Sequence, residues 1–326
     1  MNTTSHQVLE ILASGECLSG EVIGRQLGIS RMAVSKAVKR LGGCNVPISS
    51  ISGRGYRLLR DIHLYDRLRI DSLLKQHGCS NCQLHILETV PSTSDYLLEL
   101  VRTPEFPGSV CLTERQDEGR GRRERRWVST PYRNITMSIA WQFDNGMADL
   151  AGLGVAAGIT IVQTLHAFGL DQEIGLKWPN DIVWKDRKLG GLLIDVRGEH
   201  DGPCMAVLGF GLNLSLSDSD AEAIDQPFTT LETIHSEPID RNALAAALVH
   251  KLTAMFEDYP ANGFSTWHGQ WPPHDRLLHR PVVVIRGDER MYGTSQGINE
   301  QGALLVNLDS GESAHFFSGE VSLRLQ

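Results

Sequence analysis

An arginine-dense stretch in the middle of the chain has the composition of an anion-binding loop. Residues 115–126 contain six arginines and three acids, and Gly119 and Gly121 allow the backbone to come close to a ligand. Arginine presents planar, permanently charged donors that match the oxygens of carboxylates and phosphates. We therefore predict that residues 116–127, called the arginine loop below, bind a phosphate or a carboxylate.

Two other interpretations of the arginine loop stay open at this level. The pattern Gly119-x-Gly121-x-x-Glu124 resembles a dinucleotide fingerprint, but it lacks the third glycine and a following helix. A solvated charged turn is the second alternative. A disordered basic tail is disfavoured because the loop lies between apolar segments.

Further polar groups follow in the motif Lys177-Trp-Pro-Asn-Asp. Proline cannot donate to a sheet ladder and holds the preceding residue extended, so the strand pairing breaks at Pro179. We expect Asn180 and Asp181 to project from a strand end beside the lysine.

Two neighbouring predicted strands carry pairs of glycines, at 190 and 191 and at 209 and 211. Glycine weakens a strand interior and marks a site where a ligand or another backbone approaches closely. The two pairs together predict one narrow slot. Upstream, the hydroxyls of Ser92, Thr93 and Ser94 either cap a helix from Asp95 to Val101 or hold a ligand, and capping is favoured.

The N-terminal region has the pattern of a winged helix-turn-helix. Apolar residues recur at helical spacing around Gly28, and Ser30 is placed to cap a second helix that ends near Leu41. Two short strands then flank Gly53-Arg54-Gly55. The exposed positions of the second helix and the wing tip are the predicted DNA contacts: Arg31, Ser35, Lys36, Lys39, Arg40 and Arg54.

The charge distribution supports a DNA-binding module, although a helical cap with a solvated basic face stays an alternative. Residues 21–60 contain eight basic residues and one acid, whereas the whole chain carries a net charge of −8. A small basic unit is therefore attached to an acidic body.

The chain of 326 residues is long enough for two or three domains. We place a boundary near Tyr65, within a charged connection, and predict a buried helix over 148–168, an irregular lid over 215–226 and a helix over 241–259. After Arg280 the pattern changes to short strands with glycine turns, which predicts a small β-barrel. Its strands are predicted at 282–285, 291–298, 303–308, 314–317 and 321–325.

Composition argues against several other classes. Six cysteines in a chain of this size do not form a disulfide framework, and a zinc knuckle of His77, Cys79, Cys82 and His85 is disfavoured because its ligands are so closely spaced. The nearly uncharged stretch Ala151–Val162 is too short to span a bilayer, and the polar start lacks a signal pattern. We expect a cytoplasmic protein that does not enter a membrane.

The ordered motifs resemble the bacterial bifunctional biotin-protein ligases that also repress the biotin operon. The resemblance covers essentially the whole chain and rests on the basic winged helix, Ser92-Thr93, Gln116 with Gly-Arg-Gly-Arg-Arg, Lys-Trp-Pro-Asn-Asp, Arg-Lys-Leu-Gly-Gly and Gly-Phe-Gly-Leu-Asn. It implies an α+β multidomain fold with a winged helix-turn-helix at 1–65. A mixed-sheet catalytic domain like that of class II synthetases would occupy 66–272, and an SH3-like β-barrel 273–326.

The resemblance also implies a reaction. Biotin and ATP, with Mg2+, would give biotinyl-5′-adenylate, and biotin would then pass to a lysine of the biotin carboxyl carrier protein of acetyl-CoA carboxylase. Operator DNA would be a second partner, bound by a homodimer that the ligand promotes. Two alternatives are a biotin-sensing DNA-binding regulator without ligase activity and a lipoyl- or octanoyl-transferring relative.

Residue roles follow by position in the family's motifs. Arg122, Lys177 and Lys188 would be catalytic, and Asp181 would hold the magnesium ion. The biotin contacts would be Ser92, Thr93, Ser94, Gln116, Arg120, Gly121, Arg122, Lys188, Gly209 and Gly211. The ATP contacts would be Arg120, Arg122, Trp127, Lys177, Asn180, Asp181 and Asn213.

Two positions depart from the family's usual pattern. Ser94 stands where the family has asparagine, and Glu124 stands where its loop commonly has glycine. Glu124 adds negative charge and removes a permissive backbone position, so we expect loop closure, rather than the reaction itself, to differ.

Overall fold

The computed structural model describes residues 3–44, 46–59, 62–79, 83–100, 108–144, 146–198 and 202–325. These residues form an N-terminal winged helix-turn-helix, a central seven-stranded sheet with helices, and a C-terminal five-stranded sheet. The predicted fold class is confirmed.

The N-terminal unit consists of helices α1 (Thr3–Leu12), α2 (Gly20–Leu27) and α3 (Arg31–Gly43), followed by strands β1 (Ile48–Ile51) and β2 (Gly55–Leu58). Gly28 ends α2 in the left-handed region with φ of 66°. Ser30 caps α3, because its Oγ accepts a hydrogen bond from the backbone N of Ala33 at 3.2 Å. The antiparallel pair β1–β2 forms the wing, with Arg54 exposed near its tip.

The central sheet has the strand order β3-β4-β5-β9-β8-β7-β6, in which β3 and β4 are parallel and the other neighbours antiparallel. Long apolar runs in β4, β5 and β9 are buried, as the middle of a covered sheet requires. The strands are β3 (Gln83–Val90), β4 (Ser109–Gln116), β5 (Ile135–Phe143), β6 (Ile174–Lys177), β7 (Asp181–Trp184), β8 (Arg187–Gly198) and β9 (Cys204–Leu212).

Helices cover this sheet, and their apolar faces form the largest hydrophobic core. The helix predicted from Asp95 begins at Thr93, and the helix predicted over 241–259 continues past Pro260 to Asn262. The helices are α4 (Arg67–Gln76), α5 (Thr93–Leu100), α6 (Leu153–Ala167), α7 (Asp218–Glu222), α8 (Leu231–Ile234), α9 (Arg241–Asn262) and α10 (Ser265–His268).

The single helix predicted over 148–168 is wrong at its start. A 3₁₀ turn, Met147–Leu150, precedes α6, and Gly152 separates the two with φ of 80°. A Cβ on Gly152 would lie 2.4 Å from the ring of Phe264, so the backbone breaks where an aromatic side chain packs against it. The stretch Met147–Ala167 is apolar and long enough to cross a bilayer, but 67% of its apolar window is buried in the fold, as in a core helix.

The C-terminal sheet has the order β13-β12-β11-β10-β14, with every neighbouring pair antiparallel. It shares the central core, and the indole Nε1 of Trp178 donates to the carbonyl of Gly302 at 3.0 Å. The strands are β10 (Pro281–Arg286), β11 (Glu289–Ile298), β12 (Leu304–Leu308), β13 (Ser313–Phe316) and β14 (Ser322–Leu325).

A buried ion pair fixes the connection between the winged helix and the central sheet. Arg241 Nη2 lies 2.6 Å from Glu114 Oε2, and the two side chains are 2% and 3% exposed. Arg241 also donates to the carbonyls of Asn134 and His63, at 3.0 and 2.8 Å. The backbone N of Tyr65 donates to the other Glu114 oxygen at 2.9 Å. The connecting segment is therefore anchored to the strand that leads into the arginine loop.

We expect Arg241→Met to lower the free energy of unfolding by about 3–5 kcal/mol, because it leaves the Glu114 carboxylate buried without its partner. Denaturation in guanidinium chloride measures the change. Replacing both partners, as Arg241→Met with Glu114→Leu, should recover part of the loss. Arg25→Met is the matched control, since the Arg25–Glu21 pair is exposed and such pairs contribute about 0–1 kcal/mol. A loss for Arg241→Met no larger than for Arg25→Met would contradict the prediction.

Candidate functional site

A cavity of about 750 Å³ opens between the arginine loop, the central sheet and the C-terminal sheet. Every residue predicted to contact biotin or ATP lines it, although those residues come from positions far apart in the chain. They are Ser92, Thr93, Ser94, Gln116, Arg120, Gly121, Arg122, Trp127, Lys177, Asn180, Asp181, Lys188, Gly209, Gly211 and Asn213.

A network of hydroxyl and amide groups forms one end of the cavity. The Gln116 Oε1 atom accepts from the backbone N and the hydroxyl of Thr93, at 2.8 and 3.0 Å. Ser138 Oγ lies 2.7 Å from Thr93 Oγ1 and 3.0 Å from Ser94 Oγ. Ser92 Oγ accepts from the backbone N of Asp95 at 3.3 Å, so the predicted helix cap is confirmed.

The two predicted glycine pairs lie side by side in the sheet, where Gly191 is paired with Gly211. A Cβ on Gly209 would lie 2.7 Å from Ser94 Oγ, and one on Gly211 would lie 2.3 Å from the Trp127 indole. Glycine at these positions lets the helix start and the indole pack directly on the strand. The expected close approach is thus to other side chains of this protein.

The arginine loop folds back on itself. The backbone N of Gly121 donates to the carbonyl of Arg125 at 2.6 Å, and that of Trp127 donates to Gly119 at 2.8 Å. Arg120 Nη2 is held by two carboxylates, at 2.6 Å from Asp95 and 3.1 Å from Asp195. The loop is therefore a turn with fixed hydrogen bonds at its base.

Arg122 crosses the cavity from the arginine loop to both other walls. It donates to Asn180 Oδ1 at 3.2 Å and to the carbonyl oxygen of Ser318 in the C-terminal sheet region. Burial lowers the pKa of Arg122, and the neighbouring Arg123 adds to this effect. An anion bound beside Arg122 would offset this cost of burying its charge.

Two lysines complete the positive wall. Lys188 Nζ lies 2.7 Å from Asp181 Oδ1 and 5.7 Å from the centre of the Trp127 ring. Burial lowers the pKa of Lys177, while Asp181 opposes that shift. Trp127 Nε1 is buried without a hydrogen-bond partner among the described residues, so it is a donor that a ligand could use.

Sequence patterns gave no signal for one part of the cavity wall. The C-terminal sheet contributes Val321, Ser322, Leu323 and Arg324, and Arg123 donates to Ser322 Oγ. These contacts are invisible in the sequence because the residues lie far along the chain and carry no distinctive motif.

The segment 223–228 covers the cavity beside Lys188. The backbone N of Lys188 donates to the carbonyl of Pro227 at 2.9 Å, and Thr229 N donates to the Lys188 carbonyl at 2.9 Å. The predicted irregular lid is partly regular, because α7 forms within it, with Ser217 as its cap. Thr130 Oγ1 holds this helix by donating to Asp220 Oδ2 at 2.7 Å.

Among the described residues no group of three or more histidine, cysteine or acidic side chains could hold a metal ion. Of the zinc-knuckle residues, His77 stacks on His250 and His85 bonds to Tyr96, while Cys82 lies outside the described residues. The other five cysteines form no disulfide bond within the described part of the chain. Asp181 is the cavity's carboxylate nearest the lysines, and a magnesium ion there would need phosphate oxygens as further ligands.

The predicted DNA contacts lie on α3 and at the tip of the wing. Arg31, Lys36, Lys39 and Arg40 are exposed on α3, whereas Ser35 is half-buried. Met32 was missed: it lies beside Arg31 and is 70% exposed, and an exposed apolar side chain can contact a thymine methyl.

Three regions of the chain match known protein families. Residues 4–57 match the HTH domain, residues 86–213 the Biotin/lipoate A/B protein ligase family, and residues 278–324 the biotin protein ligase C-terminal domain. These regions correspond to the three parts of the fold described above.

Full-length relatives agree with these matches. The chain is 36% identical to the bifunctional ligase/repressor BirA of Salmonella typhimurium, over 97% of this chain and 96% of the relative. It is 34% identical to BirA of Escherichia coli, over 99% and 98%. The solved biotin protein ligase of Aquifex aeolicus in complex with biotin and ATP has the same fold, with a TM-score of 0.62 and 23% identity, over 75% of this chain and 99% of that one. The chain therefore belongs to the BirA family of bifunctional ligase/repressor proteins.

Proposed function

We propose that this protein is an ATP-dependent biotin-protein ligase that also represses transcription from biotin-responsive operators. The observation that carries the proposal is the cavity, in which the arginine loop, two lysines and the glycine slot meet. This combination suits two ligands bound side by side: one that has an apolar body and a carboxylate, and a nucleoside triphosphate. Relatives that match the chain from end to end carry both activities in their names.

In the first step, a biotin carboxylate oxygen attacks the α-phosphorus of ATP. The bond from that phosphorus to the oxygen bridging to the β-phosphate breaks, and pyrophosphate leaves. Two anions must come together, so fixed positive charge lowers the barrier by offsetting their repulsion. Arg122, Lys177 and Lys188, which all line the cavity, would supply that charge.

In the second step, the amine of a carrier lysine attacks the acyl carbon of the mixed anhydride. The amide bond forms, AMP leaves, and the amine gives up a proton to solvent. No nucleophilic protein side chain is needed. Exclusion of water matters more, because the anhydride hydrolyses, and the arginine loop with segment 223–228 would provide it.

Biotin would occupy the end of the cavity formed by Ser92, Thr93, Ser94 and Gln116, in the slot that Gly209 and Gly211 also line. The nucleotide would occupy the end near Trp127, Asn180 and Asn213. A magnesium ion bound by Asp181 and the phosphates would neutralise part of the triphosphate charge. Asp181 is paired with Lys188 at 2.7 Å, so ion binding would also free Lys188 for the ligand.

We expect the purified protein with MgATP and biotin to add one biotin to an apo carrier domain, measured as a mass increase on a single lysine. Chelation of magnesium should abolish the addition. Octanoate is offered in a parallel reaction. Addition of octanoate in place of biotin would favour the lipoyl- or octanoyl-transferring alternative. No addition, despite biotin binding, would contradict ligase activity and favour the non-catalytic sensor.

We expect Arg122→Gly to release the adenylate about 10- to 100-fold faster, because hydrogen bonds from a charged group contribute about 1.5–3 kcal/mol. Arg122 joins the loop to Asn180 and to the C-terminal sheet region, so its loss opens the cavity on two sides. Filter retention of radiolabelled intermediate after dilution measures the rate. Arg122→Lys should lie between the two, since it keeps the charge without the fork. Equal retention in wild type and Arg122→Gly would sink the assignment.

The winged helix would bind operator DNA through α3 and the wing. Arg31, Lys36, Lys39, Arg40 and Arg54 are exposed, which leaves their charges available to phosphates and base edges. A homodimer would place two such helices on successive major-groove turns of a palindrome. We propose that the adenylate promotes this dimer, and equal DNA affinity with and without biotin and ATP would remove that proposal.

We expect Lys39→Ala to weaken binding to DNA from the region upstream of the biotin-synthesis genes of the same genome. The variant should also reduce the slope of log affinity against log salt concentration by about 1. The reason is that each phosphate contact releases about one counterion. A fluorescence titration over several salt concentrations measures the slope. Lys251→Ala is the control, because that lysine is exposed on α9, which lies outside the winged helix. An unchanged slope for Lys39→Ala would contradict the contact.

We further propose the division of the chain into 1–65, 66–272 and 273–326. The first boundary is supported by the two separate core clusters, of which one contains Ile62 and the other Tyr65. We also propose the cytoplasm as its place of action, where ATP, carrier protein and DNA are all present. Limited proteolysis near residue 65 tests the first boundary.

A further inference from the structure

We propose that Tyr132 is a positioning residue that ties the exit of the arginine loop to the winged-helix unit. Ordering of the loop around a bound adenylate would then change how the DNA-binding helices are held. The inference rests on the proposed function, because it requires a ligand that orders the loop.

Tyr132 belongs by sequence to the segment between the arginine loop and β5, yet its side chain packs elsewhere. It is 3% exposed and lies in the hydrophobic core of the winged helix, among residues of α1, α2 and α3. It is the one described member of that core that comes from the central part of the chain. The ring is therefore shared between the two units.

The backbone of Tyr132 has φ of 65°, in the left-handed region that favours glycine and is uncommon for a bulky residue. The ring is fixed at its far end, because the hydroxyl donates to Glu88 Oε1 at 3.1 Å. That same carboxylate oxygen lies 3.8 Å from His6 Nδ1 on α1. A strained backbone is thus maintained by contacts that cross between the units.

The entry to the arginine loop also touches the winged helix. The Arg115 guanidinium lies beside the side chain of Cys44, the C-cap residue of α3, and donates to Asp117 Oδ1 at 2.7 Å. Both stems of the loop, at Arg115 and Tyr132, therefore contact the DNA-binding unit.

The exit segment also reaches the cover of the cavity. Thr130 Oγ1 bonds to Asp220 and accepts from the backbone N of Ser217 at 2.8 Å. Trp127, Thr130 and Tyr132 thus contact the cavity, its cover and the winged helix within one short stretch. Because Trp127 and Tyr132 belong to the same short segment, a movement of Trp127 on ligand binding would be transmitted through the backbone to the ring of Tyr132.

A plain structural role for Tyr132 would stabilise the fold without regard to ligand, so the test compares ligand-dependent changes. Hydrogen–deuterium exchange is followed in peptides of residues 116–127, 3–12 and 31–43, with and without biotin and MgATP. In wild type we expect ligand to slow exchange in all three, by about 5-fold or more in the helices, the lower end of typical coupling between sites.

Tyr132→Gly should keep the slowing in the loop and lose it in both helices, because glycine accepts the left-handed backbone and only the ring is removed. Tyr132→Phe keeps the ring and should keep the coupling. The melting temperature of each variant is measured to check that it folds. Slowing in the helices of Tyr132→Gly, or its absence there in wild type while the loop responds, would overturn the inference. A wild-type loop that does not respond, together with an unlabelled carrier, would instead defeat the proposed function, and the inference with it.

Discussion

Several positive charges have to be held together in a half-buried cavity, and much of the surrounding structure meets that constraint. Arg120 is held by Asp95 and Asp195, Lys188 by Asp181, and Arg122 by Asn180 and the Ser318 carbonyl. The partners come from a helix, from the central sheet and from the C-terminal unit, so the cations draw these three parts toward one place. Because burial lowers the pKa of Arg122 and Lys177, bound anions would relieve a cost already present in the fold.

Close packing on the sheet meets a second requirement, which is space. Gly211 leaves room for the Trp127 indole and Gly209 for Ser94 Oγ, so the arginine loop and the start of α5 both rest on β9. A methyl group at either position would push one of these elements away from the strand. The same two glycines therefore serve both the packing and the shape of the cavity. These roles explain why glycine occurs in an otherwise apolar strand interior, although it weakens the strand.

The fold class, a helix cap within Ser92 to Ser94 and the residues that line the cavity were predictable from the sequence, because these features depend on local patterns and on motifs with a chemical meaning. The sequence did not predict the break at Gly152, which depends on Phe264 more than a hundred residues later, or the wall formed by Val321 to Arg324. Tyr132 gave no signal either, since nothing local distinguishes a tyrosine with a left-handed backbone. Long-range packing decided each of these features.

Three successive residues at the end of β4 connect the parts of the protein. Glu114 pairs with buried Arg241 and accepts a hydrogen bond from the backbone N of Tyr65. Arg115 lies beside Cys44, the C-cap residue of α3. Gln116 accepts a hydrogen bond from the backbone N of Thr93 in the cavity. Successive side chains of a strand point to opposite faces, so a single strand end can reach the connecting segment, the DNA-binding helix and the ligand site. A small shift of this strand end would therefore change the contacts of all three residues. The proposed link between ligand and DNA affinity can therefore lie within one chain, in addition to the proposed link through a dimer.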